Sequence, residues 1–251
     1  MPVVAWIVAF SLVGSVVSLL GGIVLLLREQ MARRWSQPLA AFAAGTLLGT
    51  AFFDLLPEAL ATHTHAPILF ATLGGFLAFL LLERTALMIH VHHACDEPQP
   101  RAATATTPLI IIGDTLHNFI DGVVIGGTFL VGVPIGILTS LAVAAHEIPQ
   151  EIGDFVILLR NGMTRGRVLI VNLLSACATI VGALLIWALG ARIAALMPHF
   201  LGLTAGFFIY IAAVDLIPEA HHSHDTREVL GSTIALLSGV IAIGVATRLL
   251  A

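Results

Sequence analysis

Lysine is absent from this chain and charge of either sign is scarce: eleven arginines and fifteen acidic residues make 10% of 251 residues. Soluble domains carry about a quarter charged residues, so an ordinary water-facing surface is excluded. The two cysteines, Cys95 and Cys177, give no disulfide framework. A net charge of −4 gives no electrostatic case for nucleic acid as a partner.

What the chain has instead is apolar length. Hydrophobic residues make up 58% of it and the mean hydropathy is +1.02. Eight apolar runs reach or approach membrane-spanning length, at 3–27, 38–61, 66–83, 108–130, 134–159, 168–190, 199–220 and 231–250. The first is too long for a signal-peptide core and has no basic residue before it, so it reads as a helix. The expected fold is an all-α integral membrane protein, one transmembrane domain over 1–251, set in a lipid bilayer. Nine arginines (28, 33, 34, 84, 101, 160, 165, 167 and 227) fall in the loops after odd-numbered runs, against Arg192 and Arg248 on the other side. That bias puts the first set in the cytoplasm and both termini outside. Residues 85–107, with Pro98, Pro100 and several Thr and Ala, read as a flexible cytoplasmic loop.

The chain also repeats itself. "GTLLGTAFFDLLPEAL" at 45–60 and "GFFIYIAAVDLIPEAH" at 206–221 share seven of sixteen residues at an offset of 161, including D-L-x-P-E-A. The copies sit in the second and seventh runs, which cross the membrane in opposite directions. The expectation is a 3+2+3 arrangement: an inverted repeat of runs one to three and six to eight around runs four and five, a plan common among secondary transporters. Asp54 and Glu58 would then lie toward the outside, and Asp215 and Glu219 toward the cytoplasm. Each pair reads either as part of a cation pathway or as the acidic end of a proline-kinked helix.

Runs four and five hold the residues that an apolar helix has least reason to carry. "GDTLHNFIDG" places Asp114, His117, Asn118 and Asp121 within an arc of about 100°. "HEIPQEIGD" places His146, Glu147, Gln150, Glu151 and Asp154 within about 140°. Three ionised carboxylates on run five facing lipid would cost on the order of 7–10 kcal/mol. They must face partners, water or a cation. The runs are antiparallel neighbours, so the arcs can meet, and no lysine or arginine balances their charge. A buried polar network would lock the helices together but leave that charge uncompensated; a bound cation resolves it. Imidazole with carboxylate suits a borderline divalent metal. Pro149 frees a backbone carbonyl, a break that fits a helix lining a cavity.

"HNFIDG" and "HEIPQEIGDF" resemble the paired signatures of the ZIP (Zrt/Irt-like) metal transporters, nearest to the branch reading His-Glu-x-Pro-His-Glu-x-Gly-Asp. The resemblance covers essentially the whole chain. It implies import of divalent metal into the cytoplasm, zinc foremost with iron (Fe2+), manganese (Mn2+), cadmium (Cd2+) or cobalt (Co2+) as other cargoes, by a homodimer. It also implies a plasma-membrane location, the inner membrane in a bacterium. His117, Asp121 and His146 fall on primary-site positions; Asn118, Glu147 and Gln150 fall on that site or an adjacent one. Two departures bear on the site. Gln150 stands where that branch has His, and Thr179 stands where two-metal relatives supply a Glu. One principal ion is therefore expected, with an altered second position. The resemblance makes zinc the expected cargo and implies no cofactor.

Further histidines lie at the edges: His63 and His65, then His90, His92 and His93, then His221, His222 and His224. They read as solvated surface residues or as transient metal contacts at the two mouths. Two non-transport readings compete. An intramembrane metallohydrolase would need H-E-x-x-H, and Gln150 stands in place of the second histidine. A metal-sensing receptor would bind without flux. The reading is a transporter, not an enzyme.

Overall fold

A computed structural model describes residues 2–61, 65–94, 99–220 and 226–250, and every regular element among them is helical. The helices are α1 (Val3–Leu27), α2 (Glu29–Thr50), α3 (Leu56–Ala61), α4 (His65–Ala94), α5 (Gln99–Val131), α6 (Val133–Arg160), α7 (Arg165–Ile193), α8 (Met197–Tyr210), α9 (Ile217–Ala220) and α10 (Thr226–Leu250). Among the described residues six stretches are long and apolar enough to cross a membrane: Val3–Leu27, Gln37–Ala61, His65–Leu82, Arg165–Gly190, Met197–Leu216 and Arg227–Leu249. The fourth and fifth runs correspond to α5 and α6, of 33 and 28 residues. At about 1.5 Å per residue both exceed a bilayer core of about 30 Å, but their buried polar residues lower their hydropathy.

The stretch 85–107, expected as a loop, is instead helical over 85–94 and 99–107. Hydropathy limits how much of a helix lies in hydrocarbon, not how far it continues beyond. Ala, Leu and Met sustain α4. Pro100 falls in the first turn of α5, where the N–H that it lacks has no intrahelical partner to lose. The side chains of His90, His92 and His93 lie outside the described part of the structure, as do residues 63, 95, 221, 222 and 224 altogether.

Helices α2 and α8 each pass into a π-helical segment, Ala51–Leu55 and Ile211–Leu216, before resuming as α3 and α9. Each segment ends two residues before a proline, Pro57 or Pro218. A proline inside a helix loses one hydrogen bond and crowds the carbonyl four residues back, and a wider turn relieves that crowding. The two copies of D-L-x-P-E-A thus share a backbone feature as well as a sequence.

The molecule's polarity is reversed relative to a soluble bundle. Leu20, Phe70, Leu81, Leu174 and Ile241 are exposed, whereas Asp114, Asn118, Asp121, His146, Glu147 and Glu151 are buried. Helix α6 packs along α1, α2 along α10 and α4 along α8, while α5 packs against both α6 and α7. Close approach at α5–α7 depends on glycine. A Cβ on Gly122 would collide with the backbone carbonyl of Thr179, and one on Gly182 with that of Phe119. Small residues of this kind let membrane helices meet backbone to backbone. The α5–α6 hairpin turns on extended Gly132, with Pro134 in the first turn of α6. At its other end α6 stops at Arg160 and the chain turns through Gly162, whose φ of 86° suits glycine; Gly162 N–H bonds Leu159 O and Met163 N–H bonds Leu158 O.

Candidate metal centre

Antiparallel α5 and α6 bring His117, Asp121, His146 and Glu147 together, with one donor atom of each within 4.8 Å of all the others. The spacing on each helix (i, i+4 on α5 and adjacent residues on α6) puts all four on the facing arcs. His117 Nε2 lies 3.2 Å from His146 Nε2, 3.6 Å from Glu147 Oε1 and 3.8 Å from Asp121 Oδ2. His146 Nε2 lies 3.3 Å from Asp121 Oδ2 and 3.9 Å from Glu147 Oε1. Four donors held tetrahedrally at zinc bond lengths are about 3.3 Å apart, close to these separations. The fit extends to what the donors lack. Asp121 Oδ2 and both oxygens of Glu147 are buried without a hydrogen-bond partner among the described residues. A buried carboxylate left so is costly unless a cation compensates it.

The imidazoles are held from behind. His146 Nδ1 faces the carbonyl of Ala142 at 3.3 Å; as the protonated nitrogen it donates there and leaves Nε2 its lone pair. The ring of Phe79, on α4, stands perpendicular to His117 with centroids 5.7 Å apart. Phe79 also touches Phe207 and Tyr210 of α8. Nothing in the sequence singled out Phe79, one apolar residue among many in the third run.

Asn118 is engaged elsewhere. Its Oδ1 accepts a hydrogen bond from Thr179 Oγ1 at 3.0 Å, and its Nδ2 donates to Asp114 Oδ1 at 3.0 Å and to Asp114 O at 3.1 Å. Thr179, noted in the sequence for the carboxylate it replaces, therefore fixes the amide that the resemblance assigned to metal. Thr179→Val should leave Asn118 Oδ1 buried and unsatisfied and destabilise the protein by about 1–3 kcal/mol. Thermal unfolding in detergent measures this, and an unchanged midpoint would count against the bond. Gln150 is half-buried on the same arc of α6, one turn beyond His146. Glu151 is buried and Asp154 half-buried further along.

The outlying carboxylates are separate from this centre. Asp54, on the first π segment, and Glu58 line a cavity of about 250 Å³ with Val131, Gly132, Pro134, Ile135, Leu138 and Thr247, at the α5–α6 turn. Asp215 is half-buried on the second π segment; the side chain of Glu219 lies outside the described part, and His65 is exposed.

These features define a helical membrane protein with a buried nitrogen–oxygen donor set of metal-binding type. The profile described as "ZIP Zinc transporter" matches residues 3–108 and 89–247, nearly the whole chain. The chain is 31% identical over 237 residues to zinc transporter ZIP13 of Pongo abelii, covering 86% of this chain and 68% of that protein. It is 29% identical over 322 residues to the zinc transporter ZIP13 homolog of Drosophila melanogaster, covering 96% and 89%. Against zinc transporter ZIP10 of Mus musculus it is 42% identical over 120 residues, 48% of this chain but 14% of that protein. The chain belongs to the ZIP family.

Proposed function

We propose that this chain carries divalent transition-metal ions, zinc foremost, across a membrane into the cytoplasm, binding one principal ion between α5 and α6. The observation that carries the reading is the convergence of His117, Asp121, His146 and Glu147 at tetrahedral donor spacing on helices buried within an apolar bundle. Membership of a family whose curated relatives are named zinc transporters supports it. Two imidazoles with two carboxylates favour zinc over harder ions, while iron, manganese, cobalt and cadmium fit the same donors less selectively. Asn118 orients Asp114 in this reading, and Gln150 offers a weak neutral oxygen beside the ion.

The path runs from Asp54 and Glu58 at the outer mouth, past the four donors, to Asp215, Glu219 and the inner histidines. The 3+2+3 inverted repeat is supported by the paired π segments and by the matched packing of α2 on α10 and α4 on α8. Alternating access would move one repeat-containing bundle against the central pair. The protein would work as a homodimer in the plasma membrane, the inner membrane in a bacterium, with both termini outside.

Purified protein in liposomes should accumulate zinc, and His117→Ala should reduce uptake to the rate of empty vesicles. Wild-type flux no faster than empty vesicles, for zinc and the other divalent metals alike, would defeat the proposal. Binding without flux would return the reading to a receptor.

A further inference from the structure

The two imidazoles of the centre are held differently. His146 is fully buried, and its Nδ1 meets the carbonyl of Ala142 on its own helix at 3.3 Å. His117 keeps 13% of its side chain exposed, and no hydrogen bond among the described residues engages its Nδ1. Its Nε2 nevertheless stands 3.2 Å from His146 Nε2 and within 3.8 Å of both carboxylates. The torsion that turns a histidine ring has broad wells, so rotamer preference alone does not set that aim. Something outside the α5–α6 pair must.

Phe79 meets it there. The ring stands perpendicular to the imidazole with centroids 5.7 Å apart, within the range of a favourable edge-to-face contact. Phe79 is only 7% exposed, and it is backed from α8 by Phe207 at 5.7 Å and Tyr210 at 5.5 Å. Phe76, also on α4, supports Tyr210 in turn at 5.1 Å. Glycine makes this wall firm. A Cβ on Gly75, one turn before Phe79, would strike the carbonyl of Leu203, and one on Gly206, beside Phe207, would strike that of Thr72. Helices α4 and α8 therefore meet backbone to backbone where their rings stand, and Phe79 has no room to recede.

Resting on the proposed transport site, we infer that Phe79 is a positioning residue for the metal centre. It holds the His117 imidazole with Nε2 toward the other donors, and so ties the strength of metal binding to the seating of α5 against α4 and α8. A carbonyl behind an imidazole both fixes the ring and raises its basicity; an aromatic ring does only the first. His117 is thus the donor whose aim depends on a neighbouring helix pair, whereas His146 is aimed by its own helix. When α5 parts from that wall, His117 turns free while His146 stays in place, and the ion is held by one donor fewer.

The test is a double-mutant cycle on the whole protein in detergent, with zinc affinity read by competition against a chelator of known affinity. F79L keeps an apolar side chain but removes the ring, and should weaken zinc binding about 10–100-fold, the range for losing a group that orients a ligand. In the H117A background F79L should weaken binding no further, because the imidazole that it positions is gone. F79Y, which retains the ring, should bind zinc as the wild type does. If F79L does not fold, F79M takes its place with the same expectations. Wild-type affinity in F79L overturns the inference, and so does a loss in F79Y equal to that in F79L. An equal loss from F79L with and without His117 also overturns it, since a packing role alone acts on both backgrounds alike. H117A binding zinc as tightly as the wild type would overturn the transport site itself, and the inference with it.

Discussion

Zinc uptake by His146→Ala is expected to fall to the background of protein-free liposomes, with zinc affinity weakened more than about 100-fold. Removing a group that merely orients a metal ligand weakens binding about 10–100-fold, so loss of a direct donor should exceed that range. His146 is the most constrained of the four donors: fully buried, held through Nδ1 by Ala142 O, with Nε2 within 3.3 Å of both His117 Nε2 and Asp121 Oδ2. Its removal leaves Asp121 and Glu147 facing each other with one imidazole between them. Competition against a chelator of known affinity measures the binding, and an unchanged elution profile shows that the bundle is intact. Uptake at the wild-type rate would remove His146 from the site.

Gly122→Val is expected to destabilise the protein by about 3 kcal/mol or more, the upper range for forcing volume into a packed interface. For a chain of this size that lowers the unfolding midpoint by roughly 6–12 °C. The added Cβ would meet a backbone carbonyl, that of Thr179, which cannot swing aside as a side chain can. Separating α5 from α7 also withdraws the Thr179 hydroxyl from Asn118, so the lesion reaches the polar face of α5 without touching a donor. Gly113 on the same helix has nothing within 4 Å of an added Cβ, so Gly113→Ala should leave the midpoint unchanged or raise it slightly. Equal midpoints for the two variants would show that the α5–α7 contact is looser than described.

The site was legible in the sequence for a physical reason. A membrane helix carries His, Asp and Glu only where burial or a ligand repays them, so each stood out against its apolar neighbours. Helical periodicity placed nine polar residues on facing arcs without deciding between Glu147 and Gln150 as the fourth partner of His117, Asp121 and His146; the structure brings Glu147 beside those three. The extent of α4 and α5 beyond the membrane was not legible, because hydropathy sets no limit on a helix in water. Phe79 was equally silent, since one more Phe in an apolar run carries no signal.

By itself the sequence determined that the chain is a helical membrane protein of the ZIP family, and which two helices carry the polar residues. Composition forbids any other solvent, and the motif spacing survives without tertiary detail. The tertiary structure decided what each polar group does. Asn118 resembled a ligand, and the structure adds that its oxygen accepts a hydrogen bond from Thr179 on α7, which glycine at 122 and 182 lets come close. Glu151 read as one more acidic residue on an arc, and packing buries it with neither carboxylate oxygen hydrogen-bonded among the described residues. Local spacing fixes which face a side chain occupies, but only packing fixes what stands opposite it.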